Sequence, residues 1–254
     1  MATMNIMVGN IGSGKSLLSR KLAFYGAAVF NMDSFQEMVG GGEYGTYDFA
    51  KKEIYQAAEN ITIEESLKRG ISVVIDRTNM DLKRRARFIE IGKKYGAEIA
   101  AIDFGAGSEQ NLINREKACR GVPMKVWEDV FASMQKAYEQ PTETEGFDLI
   151  IEAPKKFRFH AFDFDGTIVQ NKFPEIGEII DGTVKRMNDI YYDLENIIIV
   201  WTSRSGEYER LARAFLLKNK IPFDFINENP LFDTGSRKIF AHEYIDDRNV
   251  GLCK

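Results

Sequence analysis

Eight residues near the start of the chain constrain it more than any others. Gly9-Asn10-Ile11-Gly12-Ser13-Gly14-Lys15-Ser16 fits G-x-x-x-x-G-K-[ST], and it lies between an apolar run, Met4 to Val8, and an amphipathic stretch, Lys15 to Phe24. Such a loop works only where a buried strand delivers the chain to it and a helix leaves it. The glycines let the backbone curl until its N–H groups point inward at phosphate oxygens, and the helix N-terminus adds positive potential. Lys15 then reaches the β and γ phosphates of a nucleoside triphosphate, and the Ser16 hydroxyl ligates Mg²⁺. Gly9, Gly12, Ser13, Gly14, Lys15 and Ser16 are therefore the candidate nucleotide site, with ATP the first expectation and other triphosphates open. The competing explanation, a glycine-rich turn with an exposed lysine, is disfavoured by the strand-then-helix context.

The same alternation continues along the chain, the pattern of parallel sheets covered by helices, so the fold class is α/β. The first half predicts strands at Met4 to Val8, Ala28 to Asn31, Ser72 to Asp76, Glu98 to Phe104 and Phe147 to Glu152. Helical patterns run from Lys15 to Phe24, from about Asp48 to Lys68, from Leu82 to Tyr95 and from Pro123 to Tyr138. A polar, turn-rich stretch, Gln140 to Gly146, and then Ala153-Pro154-Lys155-Lys156 precede a fresh apolar run. The boundary belongs near residue 155, giving domains 1–153 and 156–254. The second half predicts strands at Arg158 to Phe162, Asn196 to Trp201, Phe223 to Ile226 and Tyr244 to Asp246, hence two doubly wound parallel-sheet domains.

Composition narrows the function classes. Apolar residues make up 44% and charged residues 28%, a balance that supports a packed core rather than disorder. The net charge of −4 removes the case for a binder held to nucleic acid by bulk positive charge. Two cysteines, Cys119 and Cys253, are too few for a disulfide framework and wrongly spaced for zinc. No run approaches the ~18 apolar residues of a membrane span, and the start of the chain lacks a basic region before an apolar one. The expectation is a cytoplasmic protein without a membrane partner.

What the nucleotide is used for depends on residues further along. Neither half contains the N-K-x-D guanine-reading motif, which disfavours a GTPase switch. Asp33, beyond the second strand, is placed to take a proton from a substrate hydroxyl as that oxygen attacks the γ phosphate, and it can equally cap the helix that follows. Asp76 ends a strand on the same edge, where it could reach Mg²⁺ from outside the direct ligands, with Thr78 and Asn79 bonding phosphate or acceptor. Arg115 and Arg120 precede Gly121-Val122-Pro123, where a lid arginine would neutralise charge on the transferring phosphoryl group. Lys83-Arg84-Arg85-Arg87 reads as a solvated helix face and is the one dense basic run available for backbone contact. These residues resemble the polynucleotide kinase family of phosphotransferases over residues 4 to about 138. The resemblance implies Asp33 as general base, with Gln36, Thr78, Asn79 and Arg84 toward the acceptor. Phage members carry an arginine that grips the acceptor's 3′ phosphate at the place of Gln36, so acceptor choice here is open.

A second constellation begins as another strand ends. Asp163-Phe164-Asp165-Gly166-Thr167 places two carboxylates on one face, a nucleophile and a group to protonate a leaving alkoxide. Two carboxylates facing one phosphate repel it, so a divalent cation is required, with Asp163, Asp165, Asp246 and Asp247 as candidate ligands. Thr202 offers a hydroxyl to the phosphate, and Lys238 could offset the charge of Asp163. The order resembles the haloacid dehalogenase-like phosphatases over residues 157 to 250. That resemblance implies Asp163 as nucleophile, Asp165 as acid and base, Thr202 and Lys238 as phosphate binders, and Arg204 at the substrate. The gaps from Thr167 to Asn196 and from Ser203 to Arg237 are too short for a cap domain.

Together the two resemblances imply an end-healing enzyme using ATP and Mg²⁺, a 5′-hydroxyl polynucleotide kinase joined to a 3′-phosphatase that acts on DNA or RNA ends. Two alternatives stand beside it: a kinase and phosphatase of small nucleosides, nucleotides or sugars, and a nucleotide-gated binding protein with a vestigial phosphatase half. The choice of DNA or RNA and the oligomeric state, a homo-oligomer included, are open at this level.

Overall fold

The structure, a computed structural model, describes residues 1–40, 48–117, 121–232 and 238–248. The chain divides into two units, Met1–Ala153 and Pro154–Lys254, each with its own sheet.

The first unit starts with β1 (Thr3–Val8), in which Met4, Ile6, Met7 and Val8 are wholly buried. Apolar side chains on both faces of a strand need cover on both faces, which is the environment of a central parallel strand. β1 pairs with β3 (Val73–Ile75) on one side and β4 (Glu98–Asp103) on the other. With β2 (Ala28–Phe30) and β5 (Leu149–Glu152) the order is β2-β3-β1-β4-β5, every pair parallel. The helices are α1 (Lys15–Phe24), α2 (Met32–Gly40), α3 (Lys52–Lys68), α4 (Leu82–Lys94), α5 (Glu109–Lys117) and α6 (Met124–Lys136). Ile63 and Leu67 of α3 and Phe88 and Ile89 of α4 pack with Met4, Ile6, Phe30, Ile75 and Ile99 of the sheet into one core.

Two features depart from the sequence reading. No helix is expected over 109–117, and the reason is plain: α5 buries only Asn111, so it has no apolar stripe to reveal it. The basic run on α4 is only in part a solvated face, since Lys83 and Arg84 are exposed while Arg85 and Arg87 turn inward. Arg85 is wholly buried and grips Glu145 through two bonds of 2.7 Å, while it also donates to the carbonyls of Asn79 (3.1 Å) and Glu139 (2.9 Å). Arg87 turns to the buried Glu59. Glu145 also closes a capping box with Thr142, so the polar stretch 140–146 is fastened to α4.

The second unit carries β6 (Arg158–Asp163), β7 (Asn196–Trp201), β8 (Phe225–Ile226) and β9 (Glu243–Ile245) in the order β8-β7-β6-β9, again all parallel. Its helices are α7 (Asp181–Tyr191) and α8 (Glu207–Lys218). One helix occupies the gap between Thr167 and Asn196, and one helix and the short β8 occupy the described part of the gap after Ser203. Among the described residues no helix is long and apolar enough to cross a membrane.

The two neighbouring arginines of α4 give a direct test of burial. Arg85→Leu leaves the Glu145 carboxylate buried without its partner and is expected to lower stability by about 3–5 kcal/mol. Arg84→Ala, which removes an exposed pair with Asp81, should change it by no more than about 0.5 kcal/mol. Denaturant unfolding of the full chain measures both.

Candidate active sites

In the first unit the phosphate-loop pattern leaves β1 and enters α1 through Gly14, whose φ of 94° makes it the left-handed N-cap. Gly12 also has positive φ, 67°, and a Cβ there would stand 2.1 Å from the carbonyl oxygen of Asn111. That close approach is part of a brace. Asn111 Nδ2 donates to Ile11 O (2.9 Å) and Asn114 Nδ2 to Gly12 O (3.0 Å), so α5 holds two loop carbonyls. Asn10 donates to the carbonyls of Ala106 (2.9 Å) and Phe131 (3.0 Å), and Gly9 N donates to Thr78 O (2.9 Å). These asparagines were invisible to pattern reading because their work is polar and long-range.

Lys15 is buried, and its ammonium donates to Gly9 O (2.9 Å), Asn10 O (2.6 Å) and Ser13 Oγ (3.2 Å). Burial lowers its pKa to about 8, opposed by the carboxylate of Asp76 and assisted by the guanidinium of Arg115. Arg115 itself lies over the ring of Trp127 at 3.8 Å. Ser16 is exposed on the first turn of α1.

Around the carboxyl ends of β2 and β3 the expected residues separate into two groups. Asp33 is exposed in the first turn of α2. At the start of that helix Asn31 Oδ1 accepts from the Asp33 N–H at 2.9 Å. Asp76 is buried and accepts from Asn31 Nδ2 at 3.3 Å. Gln36 lines a cleft of about 320 Å³ together with Met32, Lys52, Tyr55, Gln56 and Arg77. The other group has partners within the protein. Asn79, expected at phosphate or acceptor, is buried at φ 45° and gives its amide to Met7 O (2.8 Å), so it ties the β3 end to β1. Arg84, expected toward the acceptor, is paired with Asp81 on its own helix turn (2.6 Å). Thr78 serves the loop through its backbone carbonyl, as above. Arg120 and Cys119 lie outside the described residues. Arg77 was not singled out, although it is the basic residue in the polar cluster that ends β3.

In the second unit Asp163 ends β6, Thr202 follows β7, Asn227 follows β8 and Asp246 follows β9, so a single edge of the sheet collects them. Carboxylate oxygens of Asp163, Asp246 and Asp247 lie within 4.8 Å of one another. Gly166, at φ 95°, lets Asp247 approach: a Cβ there would sit 2.4 Å from Asp247 Oδ2. The Asp247 N–H donates to Thr167 Oγ1 (3.0 Å). Burial raises the Asp163 pKa to about 6; the Phe164 N–H opposes that rise, and the charges of Asp246, Asp165 and Asp247 add to it. Three crowded carboxylates, one of them reluctant to ionise, suit a hard divalent cation with oxygen ligands.

Asp165 is not in that cluster. Arg204 takes both of its oxygens at 2.7 Å and donates to the carbonyls of Pro174 (3.0 Å) and Glu175 (2.7 Å). The Asp165 carboxylate, expected at the cation, faces a guanidinium rather than the three-carboxylate cluster, and the Arg204 side chain, expected at the substrate, is wholly buried against Asp165. Thr202 is buried, its N–H donating to Asn227 Oδ1 (2.8 Å) and its hydroxyl accepting from the Arg204 N–H (3.2 Å). The Lys238 ammonium sits 4.5 Å from the centre of the Tyr244 ring.

Residues 4–141 match the family model described as AAA domain, more than half of the chain. The chain belongs to the AAA domain family. The phosphate-loop pattern Gly9 to Ser16 lies within the matched residues. Among solved structures, a chain in the structure of the Pnkp1/Rnl/Hen1 RNA repair complex is 19% identical over 98% of this chain and 90% of its own, with a TM-score of 0.46. A conserved protein from Bacteroides thetaiotaomicron is 34% identical over 38% of this chain and 80% of its own, with a TM-score of 0.34. A fungal RNA kinase is 17% identical over 85% of this chain and 50% of its own, with a TM-score of 0.43.

Both sites make predictions about charge. A triphosphate seated on the AAA domain loop favours the ammonium form of Lys15, so binding near pH 8–9 should take up a proton and binding near pH 6.5 should not. Calorimetry in buffers of different ionisation enthalpy reads this directly. In the second unit the folded pKa of Asp163 lies above the ordinary aspartate value of 3.8. In EDTA its contribution to stability is therefore present below about pH 4 and lost as pH rises through 6. Asp163→Asn is expected to raise the melting temperature at pH 7.5 in EDTA, and to remove the additional rise expected when Mg²⁺ is added to the unaltered protein.

Proposed function

We propose that the chain is a bifunctional enzyme of nucleic-acid ends, a 5′-hydroxyl kinase in residues 1–153 and a 3′-phosphatase of haloacid dehalogenase type, without a cap domain, in residues 156–254. The observation that supports it most is the pairing in one chain of two different phosphate-handling edges. One has a buried loop lysine with Asp33 and a cleft beside it; the other has an aspartate at a strand end crowded by two more carboxylates.

In the kinase half, Lys15 leaves its loop carbonyls for the β and γ phosphates of ATP, Ser16 would hold Mg²⁺ directly and Asp76 at a distance, where the ion would neutralise phosphate charge, and Arg115 serves the phosphates. Asp33 takes the proton of the acceptor 5′-hydroxyl as that oxygen forms a bond to the γ phosphorus and the bond to the β–γ bridging oxygen breaks. In the phosphatase half, a divalent cation held by Asp163, Asp246 and Asp247 would neutralise the carboxylates toward an anionic substrate. An Asp163 oxygen attacks the phosphorus, the bond to the 3′ oxygen breaks, and Asp165 protonates that oxygen. Water then attacks the aspartyl phosphate, Asp165 accepts its proton, and inorganic phosphate leaves. Thr202 and Lys238 contact the phosphate. Held by Arg204, Asp165 is set for the second step; protonating the leaving group requires that ion pair to loosen.

The test is an oligonucleotide with a 5′-hydroxyl and a 3′ phosphate, incubated with ATP and Mg²⁺ while both ends are followed. Lys15→Ala or Asp33→Ala should stop 5′ phosphorylation and spare 3′ dephosphorylation, and Asp163→Asn should do the reverse. Loss of both activities from one of these changes in folded protein would overturn the two-site reading. A kcat/KM for the 3′ mononucleotide equal to or above that for the oligonucleotide would move the assignment to small nucleotides.

A further inference from the structure

The carboxyl edge of the second sheet carries aromatic surface that the chemistry above does not use. After Thr167 the chain doubles back on itself: Gln170 N donates to Glu178 O (2.8 Å) and Ile180 N to Ile168 O (2.9 Å), and a Cβ at Gly177 would stand 2.0 Å from Gln170 O. The tip of this loop, Asn171 to Glu175, is exposed, and Arg204 fastens it through the carbonyls of Pro174 (3.0 Å) and Glu175 (2.7 Å). The same guanidinium holds both oxygens of Asp165 and lies 5.2 Å from the centre of the Phe173 ring. Phe173 is thus one side chain away from Asp165, yet 57% of it is open to solvent. Tyr208, in the first turn of α8, meets it at 5.3 Å between ring centres with the planes inclined by 56°, and it too is exposed. Exposed ring faces on a fastened loop gain by being covered, and an aromatic face favours a flat π system as its cover.

We propose that Phe173 and Tyr208 form a stacking platform for the base of the nucleotide whose 3′ phosphate is removed. The inference rests on the phosphatase reading given above and names what the open site grips besides phosphate. Every nucleobase has a π face, so stacking on aromatic side chains adds affinity at a strand end whatever the terminal base; a sugar has no such face. The clamp from Arg204 reduces the ordering cost, because the loop that carries Phe173 is already held before substrate arrives.

The experiment uses the full chain with Mg²⁺ and without ATP, so that the kinase half is silent. Two oligonucleotides of one sequence carry a 3′ phosphate, the first on an ordinary terminal nucleotide and the second on a terminal tetrahydrofuran residue that has no base, and released phosphate is followed. The ratio of their kcat/KM values should exceed about tenfold in favour of the end that bears a base. Phe173→Leu and Tyr208→Leu keep apolar bulk and remove the flat face; each should lower the ratio, and together they should bring it close to unity, while Phe173→Trp should keep it. Because the ratio is taken within each variant, a smaller fraction of active protein does not move it. A ratio near unity in the unaltered protein, or one that the double variant leaves unchanged, overturns the platform while the phosphatase reading stands. Phosphate release from neither oligonucleotide by the unaltered protein overturns the phosphatase reading and this inference with it.

Discussion

In each unit every described strand runs parallel to its neighbours, and this one constraint organises the rest. Parallel pairing points all carboxyl ends at the same edge, so residues far apart in the chain are delivered side by side. Val8 and Ile75 end adjacent strands, which is why the phosphate loop and the Asp76 to Asn79 cluster meet and why Gly9 can donate to Thr78. Phe162 registers with Val200 and with Ile245, and so Asp163, Thr202 and Asp246 share an edge. The helices that cover the sheets then decide which side chains stay on that edge.

Much of that decision is made by buried guanidinium groups. An arginine taken out of water needs several acceptors, and each such arginine here takes a carboxylate plus carbonyls or shares one carboxylate with another. Arg85 fastens the 140–146 segment to α4, Arg204 ties Asp165 to the loop at Pro174 and Glu175, and Arg77 and Arg87 converge on Glu59. Arg204 is the instructive one. By taking both oxygens of Asp165 it separates the two aspartates of a D-x-D pair into different environments, one facing a cation and one crowded by like charge.

The legible parts of the sequence were those with short-range signatures. The loop Gly9 to Ser16, helix α1 and the apolar strands β1 and β7 follow from spacing and periodicity within a few residues. Helix α5 was not legible because it packs through Asn111, Asn114 and Arg115 rather than an apolar stripe. The internal partners of Asn79 and Arg204 were not legible because they lie far away in sequence: Met7 is 72 residues from Asn79, and Asp165 is 39 from Arg204. A polar residue at a strand end looks the same in sequence whether it faces a ligand or a neighbouring strand.

By itself, then, the sequence determined the α/β class, the phosphate loop and the carboxylate at the end of β6, since backbone geometry and burial make those patterns costly to use otherwise. Tertiary structure alone decided which charges are spent internally and which face a cleft. That choice depends on desolvation and on hydrogen-bond partners brought together by the sheet edge, and neither is written in the spacing of residues along the chain.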